Sequence, residues 1–407
     1  MRDRLFAFLD TQRETVIDLQ RELVARPALG PENGGQGELQ KVEFLTTSLH
    51  DLGCNDIRVL HAPDNRVASG SRPSIAAVIP GTDTSQTLWF VAHTDVVPAG
   101  DDTLWDSDPF TLRQEGDLLY GRGVEDNHHG LVAATLAAKA LLQENITPAV
   151  NCGLLLVADE ETGNAYGLDF LLREHTELFG PDDQFVVPDF GVKDGSTVEV
   201  AEKGMLWLKC TVHGRQCHAS SPEQGVNSFV GAAALALRLR GLYEHFDAED
   251  PLFAPPYSTF EPTKKEANVP NVNTIPGRDV FYLDCRVLPH YDLDDVLTKA
   301  RQEADVVQKD SGVRVELDTV HRESAPGTDP QAPIVHKLLT ALHKVRGVNG
   351  EIKGVGGGTV AAYLRRANRP AVVWSTLLHN AHQPNEHTKI SNIIADAKVM
   401  AALLVDE

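Results

Sequence analysis

The amino-acid sequence predicts an α/β protein with a second domain inserted into the first. Residues 87–91 and 152–157 are short apolar runs bounded by polar or turn residues, which is typical of buried strands in a parallel sheet. Residues 130–142 between them are rich in alanine and leucine and indicate a helix. The length of 407 residues exceeds one ordinary core and favours two or three domains. In such folds, ligands bind beyond the carboxyl ends of the strands.

The other predicted elements follow in chain order. Apolar residues at helical spacing predict a helix over residues 10–25. The pattern changes near residue 205, where a strand, a helix and two strands are predicted over 205–212, 229–242, 280–287 and 313–317. The proline-rich residues 251–262 are interpreted as an ordered loop or linker. A helix, a glycine turn, a strand and a last helix then follow over 334–346, 354–358, 371–376 and 391–404. We assign 1–203 plus 321–407 to the main domain and 204–320 to the insert.

Composition and charge exclude several classes of function. The 37 lysines and arginines face 58 aspartates and glutamates, which gives a net charge of −21 and disfavours nucleic acid and membrane surfaces as partners. No apolar run reaches the roughly 18 residues of a membrane helix, and the first apolar stretch is too short for a signal peptide. We therefore expect a cytoplasmic protein. The five cysteines form no Cys-x-x-Cys pair, which indicates reduced thiols and no disulfide framework.

Two polar motifs lie next to these elements. His93 and Asp95 follow an apolar run and project to the same side of an extended segment, so His93 can bind a metal while Asp95 orients its ring. A hydrogen-bonded His–Asp pair without a metal fits the same spacing. Asp126 can bridge two cations or merely cap the helix that follows it. His128 and His129 point about 100° apart on a helix and cannot face one ion, so we leave both out of the site.

The third motif, Asp159-Glu160-Glu161, follows the second predicted strand. Adjacent carboxylates repel one another unless cations or water lie among them. With a metal present, one carboxylate can bind it and the next can act as general base. A solvated acidic loop is the alternative. Two histidines and three carboxylates then suit a pair of zinc ions: His93, Asp126, Glu161, Asp189 and His382.

His-x-Asp, Gly-Arg-Gly-x-x-Asp and Asp-Glu-Glu-x-Gly in this order resemble the dinuclear zinc amidohydrolases and peptidases. That family includes acetylornithine deacetylase, succinyl-diaminopimelate desuccinylase, aminoacylase and carboxypeptidase G. The resemblance covers the chain from the first predicted helix to the last. It implies a zinc-exopeptidase-like three-layer catalytic domain and an inserted α+β, ferredoxin-like domain that acts as lid and dimerisation domain. It also implies a homodimer and two divalent metal ions, Zn²⁺ or alternatively Co²⁺ or Mn²⁺.

The same resemblance implies a role for each residue of the site. His93, Asp126 and Asp189 would hold one ion, and Asp126, Glu161 and His382 would hold the other, with Asp126 as the bridge. Asp95 would orient His93. Glu160 would activate a metal-bridging water and pass its proton to the leaving nitrogen. The family also tends to have a cis peptide bond after the bridging aspartate, here between Asp126 and Asn127.

Residues of the insert and of the glycine turn also resemble family positions. His218 matches a histidine that reaches across the dimer to the oxyanion, although by itself it is an ordinary strand-end histidine. Further positions resemble groups that receive a substrate carboxylate: Asn273, Arg286, Gly357, Gly358 and Thr359. A loop cap, a surface ion pair and a plain turn are the alternatives there. The chain departs from the family at Asn127-His128-His129-Gly130, since a lysine and a glycine often come soon after the bridging aspartate, and at His387, where a tyrosine is frequent.

These observations predict a metal-dependent hydrolase that cleaves the amide bond of an N-acyl amino acid, of the deacylase or desuccinylase type. A dipeptidase or carboxypeptidase-type exopeptidase acting on small peptides is the alternative. A catalytically silent ligand-binding scaffold is a third hypothesis. The presence of all five ligands together with Glu160 and Asp95 argues against it, because a scaffold does not need them.

Overall fold

The structure is a computed structural model that describes residues 1–405. The chain forms two compact units. The first unit comprises residues 1–200, 328–353 and 359–405, and the second comprises residues 201–327 and 354–358. Within residues 1–405, no helix has the length and apolar character needed to cross a membrane.

The secondary structure is numbered in chain order. The strands are β1 (Asp56–Pro63), β2 (Ser71–Ile79), β3 (Asp83–His93), β4 (Arg113–Glu115), β5 (Leu118–Tyr120), β6 (Val150–Val157), β7 (Gln184–Gly191), β8 (Thr197–Glu202), β9 (Gly204–His213), β10 (Cys217–His218), β11 (Thr259–Lys265), β12 (Thr274–Ile275), β13 (Arg278–Val287), β14 (Arg314–Glu323), β15 (Glu351–Val355), β16 (Ala371–Ser375) and β17 (His387–Lys389). The α-helices are α1 (Arg2–Asp10), α2 (Arg13–Val24), α3 (Leu39–Asp51), α4 (His128–Gln143), α5 (Leu168–Glu174), α6 (Ser228–Leu239), α7 (Leu242–His245), α8 (Leu293–Ser311), α9 (Pro333–Arg346), α10 (Ala361–Arg366) and α11 (Ile390–Val405).

A mixed sheet in the order β1-β2-β6-β3-β7-β16-β8-β15 forms the centre of the first unit. Its middle strands β6, β3, β7 and β16 are parallel neighbours. Alternate side chains of these strands point to opposite faces. Trp89, Val91 and Phe185 pack with α5 and α10 on one face, whereas α4 lies against β3, β6 and β7. Both faces are covered, which explains why these strands are almost continuously apolar.

The second unit has the strand and helix order β9-α6-β11-β13-α8-β14. Its antiparallel sheet has the order β11-β13-β9-β14, which is a ferredoxin-like arrangement. The helices α6 and α8 cover one face of this sheet, and their contacts bury Leu235, Val296 and Ala300 together with Leu208 and Leu283 of the strands.

Two interpretations of the insert were wrong. The predicted strand–helix–strand–strand order omits α8, although its buried residues Leu293, Val296, Ala300, Ala304 and Val307 have helical spacing. The segment 251–262 is not entirely loop, because β11 begins at Thr259. Pro262 is tolerated there because β11 is an edge strand whose register shifts between Pro262 and Lys265.

Candidate metal centre

Three parallel strands bring the predicted ligands to one edge of the sheet. β3 ends at His93, and its neighbour β6 leads directly into residues 159–161. β7, on the other side of β3, contains Asp189. The Thr94 amide donates to the Val157 carbonyl at 2.8 Å, which fixes the ends of β3 and β6 side by side. Residues far apart in sequence therefore converge at the carboxyl ends of the strands, as expected for an α/β sheet.

Two loops complete the cluster, one carrying Asp126 before α4 and one carrying His382 between β16 and β17. Asp126 Oδ1 lies 2.9 Å from His93 Nε2, and Asp126 Oδ2 lies 3.1 Å from His382 Nε2. His382 Nε2 is also 3.1 Å from Glu161 Oε1, and His93 Nε2 is 3.6 Å from Asp189 Oδ1. Each oxygen of Asp126 thus faces a different histidine. The peptide bond between Asp126 and Asn127 is cis, as predicted.

The donor set fits a pair of borderline divalent cations. Ligand atoms of His93, Asp126 and Glu161 lie within 4.8 Å of one another, and so do those of His93, Glu160 and Asp189. Imidazole nitrogens and carboxylate oxygens are the ligands that zinc takes when thiolates are absent. Four carboxylates in so small a space require positive charge among them. The described residues therefore form a candidate site for divalent metal, in which His93 belongs to both groups of ligand atoms.

The pKa values of these groups are shifted in the direction that crowded carboxylates produce. Hydrogen bonds with Asp126 and Glu161 raise the pKa of His382 to about 10. Burial opposes the charge of His93, but Asp126 and Asp189 outweigh it and hold its pKa well above the usual value. Burial raises the pKa of Glu161 to about 7, and burial also raises that of Glu160, with the neighbouring carboxylates adding to the shift.

Asp95 connects the first motif to the third. Its carboxylate oxygens accept hydrogen bonds from the backbone amides of Glu160 and Glu161, at 3.1 and 3.0 Å. Its Oδ1 lies 3.4 Å from His93 Nδ1. Burial disfavours the carboxylate, but these partners keep the pKa of Asp95 below its usual value. Asp95 therefore contacts the ring of His93 and also fixes the loop that carries Glu160.

The predicted residues of the insert lie in the second unit, where the structure brings them together in two pairs. His218 pairs with Thr274 between β10 and β12, and the Ala219 amide donates to the Asn273 carbonyl at 2.9 Å. Arg286 Nη1 donates to the Gly356 carbonyl at 2.9 Å, beside Gly357 and Gly358. Arg286 Nε also donates to Asp284 Oδ1 at 3.0 Å. His218 thus lies beside Asn273, and Arg286 contacts the glycine turn.

Three further residues have structural contacts. Thr359 lies in the first unit, where its Oγ1 accepts from the Ala361 amide at 3.2 Å at the start of α10. His128 and His129 are fully buried. His128 Nε2 lies 2.8 Å from Lys41 Nζ, and His129 Nε2 lies 3.0 Å from Asp396 Oδ2. These contacts tie the first turn of α4 to α3 and α11.

Two buried carboxylates next to the cluster, Glu125 and Glu386, were not predicted; they are 1% and 0% exposed. Glu386 accepts from the amides of Glu125 and Asp126 at 2.9 and 3.0 Å. Glu125 accepts from the Asn380 amide at 2.9 Å. Both lie close in sequence to predicted ligands, but the spacing of residues does not reveal which carboxylates point away from the cluster of ligand atoms.

The chain is similar to known proteins in both sequence and fold. The model of peptidase family M20/M25/M40 matches residues 89–406. An uncharacterized metallohydrolase of Methanococcus maripaludis is 36% identical over 412 residues, which covers 96% of this chain and 99% of the relative. Succinyl-diaminopimelate desuccinylase of Sulfurovum sp. is 29% identical over 309 residues, covering 75% and 80%. The structure of aminopeptidase PepT from Bacillus cereus is 18% identical, with a TM-score of 0.77 over 96% of this chain and 98% of that one. The predicted α/β fold class is confirmed.

Proposed function

The chain belongs to the M20/M25/M40 peptidase family, and we propose that it is a deacylase or desuccinylase that hydrolyses the amide bond of an N-acyl amino acid. As a member of this family it is a metal-dependent hydrolase. The finer assignment rests on the site of this chain and on its similarity to a desuccinylase.

One observation carries the proposed two-ion mechanism. Asp126 presents one carboxylate oxygen to His93 at 2.9 Å and the other to His382 at 3.1 Å. A carboxylate that faces two separate ligand groups in this way is suited to bridge two ions. We propose that His93 and Asp189 complete one side of the bridge and that Glu161 and His382 complete the other.

Two divalent ions at this place would supply Lewis acidity and lower the pKa of water. Glu160 lies in the ligand cluster with His93 and Asp189, where it would take a proton from the attacking water and deliver it to the leaving nitrogen. Burial favours its protonated form, so it holds a proton readily once it has accepted one. Asp95 accepts a hydrogen bond from the backbone amide of Glu160 at 3.1 Å, and this contact orients the Glu160 side chain.

An N-acyl amino acid carries a free carboxylate, and Arg286 is the group we propose for its recognition. The guanidinium already donates to the Gly356 carbonyl, so arginine and turn are held together. An Arg fork and backbone amides suit a carboxylate. We propose Asn273, Gly357, Gly358 and Thr359 as further contacts to substrate.

We propose that the segment 204–320 acts as lid and dimerisation domain and that His218 acts across a homodimer. An inactive His218→Ala chain mixed with an inactive Glu160→Ala chain should then regain activity in hybrid dimers. Absence of recovery contradicts the supply of His218 in trans.

We propose Zn²⁺ as the native metal. A cytoplasmic location is consistent with the five cysteines, which all lie within residues 1–405 and are unpaired.

The test combines metal content with turnover on a panel of substrates. We expect about two metal ions per chain by elemental analysis, and hydrolysis of N-acyl amino acids in preference to dipeptides. The Glu160→Ala variant should keep its metal while turnover falls by about 10²- to 10⁴-fold. Glu174→Ala, an exposed glutamate on α5, is the matched control and should retain full turnover. Unchanged turnover in Glu160→Ala refutes the mechanism, and preference for dipeptides refutes the deacylase assignment.

A further inference from the structure

The loops that carry Asp126 and His382 are connected by two crossed carboxylates. Glu386, from the His382 loop, accepts at one oxygen from the amides of Glu125 and Asp126, at 2.9 and 3.0 Å. Its other oxygen accepts from Arg122 Nη1 at 2.6 Å, in an ion pair that is almost completely buried. One loop thus supplies the acceptor for the backbone next to the bridging aspartate.

Glu125 makes the reciprocal connection from the Asp126 loop. Its Oε2 accepts from the Leu378 amide at 2.8 Å, and its Oε1 accepts from the Asn380 amide at 2.9 Å. The side-chain amide of Asn380 donates to Oε2 at 3.1 Å and to the His387 carbonyl at 3.0 Å. A carboxylate uses both oxygens as acceptors for these donors, which neither glutamine nor an apolar residue can do.

The His382 loop depends on such external bonds because of its backbone conformation. His379, His382 and Asn385 have φ values of +66°, +63° and +58°. The left-handed region is unfavourable for non-glycine residues, which keep this conformation only where the surroundings enforce it. The bonds from Leu378 and Asn380 to Glu125 anchor the stretch immediately before His382.

We propose that Glu125 is a positioning residue for the half of the metal centre that contains His382. By holding the backbone at 378–380, it keeps His382 Nε2 3.1 Å from both Asp126 and Glu161. The other half consists of His93 and Asp189, on β3 and β7, and of the shared Asp126, whose backbone amide is held by Glu386 and not by Glu125. Loss of Glu125 should therefore weaken the binding of the ion held by His382 more than the binding of the other ion. The inference rests on the proposed two-ion centre.

The test is a Zn²⁺ titration in competition with a fluorescent chelator, on the full chain. Wild-type protein should bind two ions. In Glu125→Ala the dissociation constant of one ion should rise by about 10- to 100-fold, as for other residues that support metal ligands, while the other ion is unaffected. Glu125→Gln keeps the side-chain volume and one acceptor oxygen, so it should give a smaller loss of zinc affinity. It replaces Glu125→Ala in the test if the alanine variant does not fold. His382→Ala should give the same pattern by direct removal of a ligand.

Asp183→Ala is the matched control. Asp183 is 2% exposed and likewise accepts three N–H donors, from Thr87, Trp89 and Gly180, at 2.8, 2.9 and 2.9 Å. It should lower the unfolding temperature of the metal-free protein as Glu125→Ala does, but leave both zinc affinities unchanged. Equal zinc affinities in wild type and in both Glu125 variants overturn the role of Glu125. Fewer than two ions in wild type overturn the proposed centre itself, which is a separate outcome.

Discussion

Arg72 on β2 offers a test of how the Asp159-Glu160-Glu161 loop is held in place. Its guanidinium is completely buried and forms a two-point ion pair with Glu38, in which Nε donates at 2.7 Å. Its Nη1 donates to Asp159 at 3.3 Å. Arg72→Met keeps much of the side-chain volume but leaves both buried carboxylates without their cation. We expect the free energy of unfolding to fall, because unpaired buried charge is costly.

The magnitude follows from the alternatives open to Glu38. Burial already raises its pKa, and Arg72 opposes that shift. Without Arg72, the carboxyl escapes an unpaired charge by taking a proton. From its ordinary pKa of 4.5, protonation costs about 3.4 kcal/mol at pH 7 and about 0.7 kcal/mol at pH 5, at about 1.4 kcal/mol per pH unit. The folded variant then binds a proton that the unfolded chain has released, so the loss of stability grows as pH rises from 5 to 7.

The assay is urea unfolding of the metal-free protein at pH 5 and pH 7. The double variant Arg72→Met/Glu38→Gln should recover part of the loss at pH 7 and show a weaker pH dependence. Arg21→Met is the control, because Arg21 pairs with Asp18 while 53% and 68% of the two side chains are exposed, and such pairs contribute less than about 1 kcal/mol. An equal loss at both pH values for Arg72→Met refutes this reasoning.

Three further predictions concern packing, thiols and metal. A Cβ on Gly130 would lie 2.5 Å from the Pro188 carbonyl oxygen, so Gly130→Ala should lower the free energy of unfolding by about 1–3 kcal/mol in urea titrations, and wild-type stability contradicts this. With a thiol reagent, one cysteine per native chain should react rapidly, because Cys217 is part-exposed while the other four cysteines are buried. Burial also raises the pKa of Cys210 to about 12, which keeps that thiol protonated. A rapidly reacting thiol in the Cys217→Ser variant would contradict this prediction. Chelation should lower the unfolding temperature and Zn²⁺ should restore it, because the ions bind only the folded cluster. A site with free Zn²⁺ at 100 times its dissociation constant should add about 2.7 kcal/mol to the free energy of unfolding. An unfolding temperature that responds to neither chelator nor Zn²⁺ refutes the metal centre.

The local sequence was sufficient for the elements of the central sheet. The predicted strands at 87–91 and 152–157 lie within β3 and β6, and the predicted helix at 130–142 lies within α4. Buried parallel strands and a buried helix are apolar on all sides, and that signal is visible in a short window. The helix α8 was missed although its buried residues have helical spacing and its exposed face is strongly charged, which together are the pattern of an amphipathic helix.

The fold class and the family follow from the sequence alone, because the motifs combine ligand chemistry with positions at the ends of strands. It also indicated which side chains have metal-binding chemistry. Their mutual arrangement is visible only in the folded chain, where Asp126 lies between His93 and His382 and Asp95 accepts from the amides of Glu160 and Glu161. Glu125 and Glu161 are the same residue type beside the same site, yet one accepts backbone amides and the other faces His382. That difference arises from contacts between segments about 220 to 255 residues apart, which no local pattern encodes.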